Sequence, residues 1–340
     1  MALTFRTRRA LKRALTISLI LIVLILLALF LLSFWMGRFQ VYTRDHGVRL
    51  DFNRSSADIV GTPAVPPEQQ ETVSIYYNEG ENAISTSKEL TQIIGYYVTE
   101  EDLAQDSEGI LAKLKTLPAG TPVMIDVKNI HGDFFYSSSL GEQRDGNIDP
   151  AVMDQIIRHL KTSNMYAIAR MPSMPDYYYG LRNVGYGLHH SSGLYLWSDS
   201  RGCYWLNPAS DGAVAYWVRI ITELKELGFD EVVLDEYHFP ENADLQFQGD
   251  RIQTLSDTAQ NLVTTCSTES FAVSFVQTVP FAVPQGRTRI YRTNVIASEA
   301  AEVADAVGVE DPSVYLVFLT DVHDTRFDAY SVLRPLSMLY

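Results

Sequence analysis

Cysteine is almost absent from this chain. Only Cys203 and Cys266 occur in 340 residues, with no Cys-x-x-Cys and no zinc-type spacing. A disulfide-dense scaffold and a structural zinc site are therefore excluded. The two thiols bond only if their Cα atoms lie about 4.4 to 6.8 Å apart, so one bridge or two buried thiols remain open. No Gly-rich phosphate loop follows an apolar run and no Gly-x-Ser-x-Gly occurs, which argues against nucleotide-dependent and serine-hydrolase chemistry. No internal repeat or low-complexity tract is present. Positive charge is also scarce: 27 Lys and Arg stand against 41 Asp and Glu, for a net charge of −14. Residues 1–13 hold Arg6, Arg8, Arg9, Lys12 and Arg13 without an acid, so the rest of the chain carries −19. Phosphate backbones are repelled by such a body; nucleic acid is not an expected partner, and a neutral or cationic ligand fits better.

What the chain does have is one long apolar run. Residues 14–36 contain no charged side chain and are dominated by Leu, Ile, Val and Phe, enough for the roughly 20 residues that a membrane helix requires. The basic cluster before it predicts a cytosolic N-terminal tail (1–13), an anchor (14–36) and an extracytoplasmic remainder. A cleaved signal peptide is the competing reading, but the run exceeds the usual apolar core of about 7 to 15 residues and no small-x-small site follows. Residues 37–90 mix charge, Ser, Gly and Pro, with Pro63, Pro66 and Pro67 close together. They read as a stalk with one short accessory strand at 72–77.

From residue 91 to 340, apolar β-like runs alternate with helical patterns, the order of a parallel sheet built from βαβ units. Six strands are predicted, at 93–98, 123–128, 166–171, 231–236, 271–276 and 314–320. Helices are predicted at 107–116, 150–163, 209–227, 254–265 and 298–306. The length suits a TIM-like (β/α) barrel of about 250 residues. Six strands predict one that is shortened or open.

The stretch Leu-Asp-Glu-Tyr-His-Phe-Pro at 234–240 is the focal one, since an apolar strand stops there in two carboxylates. Strand C-termini form the active rim of such barrels, so Asp235 and Glu236 are candidate catalytic groups, the alternative being a solvated acidic loop. Side chains alternate along a strand, so only one of the two is expected to enter the mouth, whereas Asp126 and Lys128 share a face. Asp126 and Arg170 end neighbouring strands, either as site residues or as an ion pair between strands. Asp321 and Asp324 follow the last predicted strand. The connection 172–208 is long and rich in rings, among them Tyr177, Tyr178, Tyr179, Tyr186, Tyr195, Trp197, Tyr204 and Trp205. Such faces stack on sugars or pack the loop on itself. The pairs His189–His190 and His131–Asp133 and the group Asp321, His323 and Asp324 match no metal pattern. Neither a metal nor a cofactor is expected.

Five short stretches give a resemblance that composition does not. They are Val-Met-Ile-Asp-Val-Lys at 123–128, Tyr-Ala-Ile-Ala-Arg at 166–170, Gly-Leu-Tyr-Leu-Trp at 193–197, Trp-Leu-Asn-Pro at 205–208 and Gly-Phe-Asp-Glu-Val-Val-Leu-Asp-Glu-Tyr-His-Phe-Pro at 228–240. In order and spacing the chain resembles a bacterial family of glycoside hydrolase domains of unknown function, related to the amylase-like TIM barrels. The resemblance implies that Asp235 faces the mouth as nucleophile or general base, with Asp126 and Arg170 orienting substrate or tuning it. The acid/base partner would be Glu236, Asp321 or Asp324. Lys128, Trp197, Trp205, Asn207, Tyr237 and His238 would line the substrate path. His238 stands where the family usually has Arg, and 271–277 lacks an acid. The expected partner is a polysaccharide or other glycan, bound by a membrane-anchored hydrolase or, alternatively, by a non-catalytic carbohydrate-binding module.

Overall fold

The computed structural model describes residues 40–43, 47–50, 89–141, 146–241 and 244–339. The apolar run at 14–36 and the accessory strand at 72–77 lie outside them; among the described residues no helix is long and apolar enough to cross a membrane. The chain divides into two compact units, 1–82 and 83–340. In the first, Gln40–Thr43 pairs antiparallel with Gly47–Leu50. This hairpin lies within the stretch read as stalk; its two four-residue runs are too short to show periodicity in the sequence.

The second unit is a closed barrel of eight parallel strands. They are β1 Ile94–Val98, β2 Pro122–Asp126, β3 Tyr166–Pro172, β4 Glu231–Asp235, β5 Ala272–Val276, β6 Ile290–Thr293, β7 Leu316–Leu319 and β8 Ser331–Pro335. All six expected strands are present. The expectation of a shortened or open barrel is corrected by β6 and β8, and β8 closes the ring by pairing with both β7 and β1. Each of the two was hidden for a physical reason. β6 has only four residues, with Arg292 among them, and β8 ends in a proline, which ordinarily argues against a strand interior.

Helices α1 Glu100–Leu114, α2 Pro150–Thr162, α3 Tyr177–Arg182, α4 Asp211–Leu227, α5 Arg251–Cys266, α6 Ala300–Val307 and α7 Pro312–Tyr315 fill the connections. Helix α1 begins seven residues before the expected 107, because Thr99 and Asp102 form a reciprocal capping box. Asp149 caps α2 ahead of Pro150, as its sequence predicts. Gly228 ends α4 at φ 100, a conformation that glycine adopts without strain.

The register decides what faces inward. Met124, Ile168, Val233, Val276, Tyr291, Val317 and Leu333 pack together as the inner layer. A second set of apolar residues joins the outer strand faces to the helices. Since alternate residues share a face, Asp126 above Met124, Arg170 above Ile168 and Asp235 above Val233 all enter the mouth. Space inside is tight at β1: a Cβ on Gly95 would stand 2.1 Å from the Pro122 carbonyl oxygen. Gly95→Ala is expected to destabilise the barrel by about 1 to 3 kcal/mol, and a melting temperature equal to that of the parent chain would contradict that close approach.

Candidate functional site

Three consecutive strands bring their last inward residues together. Arg170 forks onto Asp126, with Nε 2.5 Å from Oδ1 and Nη2 2.8 Å from Oδ2. The Glu100 backbone N–H also donates to Asp126 Oδ2 at 2.8 Å. Burial alone would lower the Arg170 pKa, but the bonds to Asp126 and the charges of Asp126 and Asp235 raise it instead. Asp126 is thereby held rigidly. Asp235 lies two residues farther along its strand than Val233, the residue level with Arg170. Its Oδ1 accepts from the Glu236 N–H at 2.7 Å. Burial pushes its pKa above the ordinary value of 3.8, aided by Glu236 and Asp126 and opposed by Arg170 and the Glu236 N–H.

Glu236 departs from the alternation rule. Its backbone sits at φ 50, in the left-handed region that costs a non-glycine residue roughly 1 kcal/mol. Alternation holds only for extended backbone, so the expectation that one of the two acids must turn away is corrected. Both line one depression of about 110 Å³, together with Glu100, Asp126, Lys128, Asn129, Ile130, Arg170 and Pro172. The Glu236 carboxylate is held by Arg201, Nη1 to Oε1 at 2.6 Å and Nη2 to Oε2 at 2.9 Å. Arg201 in turn is fixed by Asp199 at 2.8 Å. Burial works against the Asp199 charge, yet the Cys203 N–H, Arg201 and Trp205 outweigh it and hold that carboxyl below its ordinary range. Nothing in the spacing of Asp199 and Arg201 marked them beforehand, because their partner is 35 residues away in sequence.

Other expected site residues are used elsewhere. Strand β2 stops at Asp126 and Lys128 follows beyond its end; both line the depression, but the Lys128 ammonium is buried and paired with Asp176 at 2.9 Å. Tyr237 is buried and donates to the Leu255 carbonyl at 2.8 Å, so its ring is core rather than substrate path. Trp205 is 3% exposed, donates to Asp199 at 3.1 Å and meets Trp197 edge-on; Trp197 itself is half-buried. Asn207 Oδ1 accepts from the Ala209 N–H at 3.0 Å in the turn leading to α4. His238 packs edge-on against Trp205, and burial lowers its pKa, leaving Nδ1 enclosed without a hydrogen-bond partner. Asp324 is claimed by Arg326, two residues on, at 2.7 Å. The Asp321 charge acts on Tyr97, and Asp321 does not line the depression. Cys203 and Cys266 are buried free thiols, which settles their pairing. The Cys203 pKa is pushed up to about 11, by burial first and by Asp199 second, which disfavours a thiolate.

A larger hollow of about 710 Å³ opens at the other end, where the strands begin, lined by Thr91, Ile94, Pro122, Tyr166 and Arg289. Barrel enzymes work at the opposite rim, and the charges beneath this hollow satisfy one another. The smaller depression at the strand ends is therefore the candidate site. Among the described residues, no group of three or more His, Cys, Asp and Glu is placed to hold a metal ion.

Residues 95–315 match the model of a family described as "Putative glycosyl hydrolase domain". No curated protein matches the chain. Among solved structures, the galactosidase domain of the α-galactosidase–sucrose kinase AgaSK is similar at 11% identity and a TM-score of 0.50, over 73% of this chain and 38% of that one. The glycoside hydrolase domain of a PelA variant from Pseudomonas aeruginosa is similar at 12% identity and a TM-score of 0.42, over 74% of this chain and 97% of that one. A hypothetical protein from Ruminiclostridium thermocellum ATCC 27405 is similar at 17% identity and a TM-score of 0.45, over 53% of this chain and 96% of that one. At such identities the likeness is one of fold.

Proposed function

Because the chain belongs to this glycosyl hydrolase domain family, we propose that it hydrolyses glycosidic bonds of a cell-envelope or environmental polysaccharide at the Asp235 depression. One observation carries the reading: Asp235 is turned into the barrel mouth, and burial there makes its carboxylate more basic than an ordinary one. A general base gains efficiency as its pKa approaches the working pH. Glycoside hydrolysis needs two carboxyl groups about the scissile bond. Of the three candidate partners, Glu236 is the one that shares the depression, so we assign it the proton-donor role. That role requires the exposed Arg201, held on its other side by Asp199, to release the Glu236 carboxyl. Asp126 and Arg170 position Asp235 by charge. Residues 14–36 anchor the domain on the outer side of a membrane, and the basic tail stays in the cytosol; a protease-protection assay that leaves the C-terminal domain shielded by the membrane would overturn this orientation.

A second reading has a specific observation in its favour. Asp126 and Glu236 are each forked by an arginine, and the ends of β5, β6 and β8 bring no carboxylate to the rim, as in a site that binds a glycan without cleaving it. The two readings separate on reducing ends. Incubated with soluble polysaccharides, the hydrolase releases them, and Glu236→Gln slows release by roughly 10² to 10⁴. Retention of a polysaccharide with no release by the parent chain would establish the binding module instead.

A further inference from the structure

Most rings of the long loop after β3 are already occupied. Tyr177 stacks on Tyr204, Tyr179 on Tyr216, and Trp205 is buried. Tyr195 differs. Its ring lies against that of His190, centroids 4.8 Å apart at 26°, while 55% of the residue stays exposed. One face is thus backed and the other is open. The turn that carries it is fixed from both sides. Within it, the His190 N–H donates to the Tyr195 carbonyl at 3.1 Å and the Gly193 N–H to the His190 carbonyl at 2.7 Å. Gly193 takes φ 69, where its missing Cβ also leaves room for Gln246. Outside it, the Ser191 N–H donates to the Asp244 carbonyl at 3.0 Å and the Gln246 N–H to the His189 carbonyl at 2.8 Å. Polar groups meet the backing His190: Ser191 Oγ donates to Asp244 Oδ2 at 2.5 Å, and His190 Nε2 lies 3.5 Å from the same carboxylate.

We propose that Tyr195, backed by His190 on a turn that also carries Ser191 and is joined to Asp244, is a sugar-stacking subsite on the rim, engaging one unit of a neutral or amino-sugar polysaccharide apart from the unit at Asp235. The subsite deepens the glycosidase reading and rests on it for the direction of the chain. A pyranose offers an apolar C–H face with hydroxyls around its edge, which suits an open aromatic face carried on a turn with Ser191, His190 and Asp244. A protein partner fits poorly. The exposed apolar surface here is Tyr195 and Leu194 (85% exposed), far short of the roughly 800 Å² per partner of a stable protein interface. The Asp244 carboxylate argues against an anionic lipid surface. The ordered turn lets binding proceed without the cost of fixing a loose loop.

Affinity electrophoresis of the full-length chain through gels containing dextran, galactomannan or chitosan tests the subsite. At least one polymer is expected to retard the parent chain, Tyr195→Ala to weaken that retardation about tenfold, and Tyr195→Phe, which keeps the ring face, to preserve it. Melting temperatures of both variants should match the parent, since the side chain is mostly outside the core. Retardation by no polymer, or retardation indifferent to Tyr195→Ala, overturns the subsite. Reducing-end release is read separately: if it persists while Tyr195→Ala changes nothing, the hydrolase stands and the subsite falls. If Tyr195→Ala weakens the retardation while the parent releases no reducing ends, the subsite stands and the hydrolase falls.

Discussion

Asp235→Asn is expected to abolish glycoside hydrolysis, by a factor of about 10³ or more, and at the same time to raise the melting temperature at neutral pH. The two effects share one cause. A carboxylate that must be ionised for chemistry is held where burial disfavours the charge, and its pKa is raised above 3.8 in the folded chain. Below that ordinary value, Asp235 is protonated in both folded and unfolded states and contributes no pH dependence. As pH rises, the unfolded chain releases its proton first and is stabilised by doing so. The folded chain therefore loses stability from about pH 3.8 until the raised native pKa has been passed, and the loss is constant thereafter. Asparagine has no proton to release and keeps a side-chain oxygen for the Glu236 N–H. The gap in melting temperature between variant and parent should accordingly be absent in strong acid, open through that window and persist at pH 7. A gap independent of pH, or a less stable variant at pH 7, would contradict the assigned desolvation.

The second large effect lies at the other end of the barrel and touches stability alone. Glu231 is wholly enclosed at the start of β4, where Arg289 Nη1 approaches it at 2.5 Å. Tyr166 and Tyr291 donate to it at 2.8 and 3.0 Å, and Ser274 at 2.5 Å. Arg289 also donates to the carbonyls of Val314 and Thr91, so β3, β4, β5 and β6 and the chain before β1 meet at one ionic centre. Removing a single partner strands a buried charge, which costs about 3 to 5 kcal/mol. Glu231→Gln should therefore lower the melting temperature by roughly 6 to 20 °C for a domain of this size. Changing Glu231 to Leu and Arg289 to Met together should recover only part of the loss, because three hydroxyls and two carbonyls lose their partner. A Glu231→Gln melting temperature within 2 °C or so of the parent would show that the cluster is not a keystone.

The contrast between the two ends explains how far the sequence could be read. That Asp126, Arg170 and Asp235 end apolar strands is a local signal and was legible, but the choice of Asp235 as the inward acid came from the family resemblance and not from alternation. The closure of the barrel was not legible, because β6 and β8 are four and five residues long and owe their strand form to neighbours on both sides. Nor could the sequence sort the rings: Trp205 and Tyr237 become core while Tyr195 stays open, and that division is tertiary. Glu236 is the most instructive case. Its left-handed backbone overrides alternation, and the Arg201 fork that meets it comes from another loop.

The central claim is that Asp235 reacts at a glycosidic bond. Its most direct test is the initial rate at which the purified full-length chain and its Asp235→Asn variant, at equal concentration, release reducing ends from a polysaccharide that the parent chain degrades. Measurable release by the parent is expected, with a rate at least about 10³ lower for a variant that melts no earlier. Equal rates for the two proteins would contradict it.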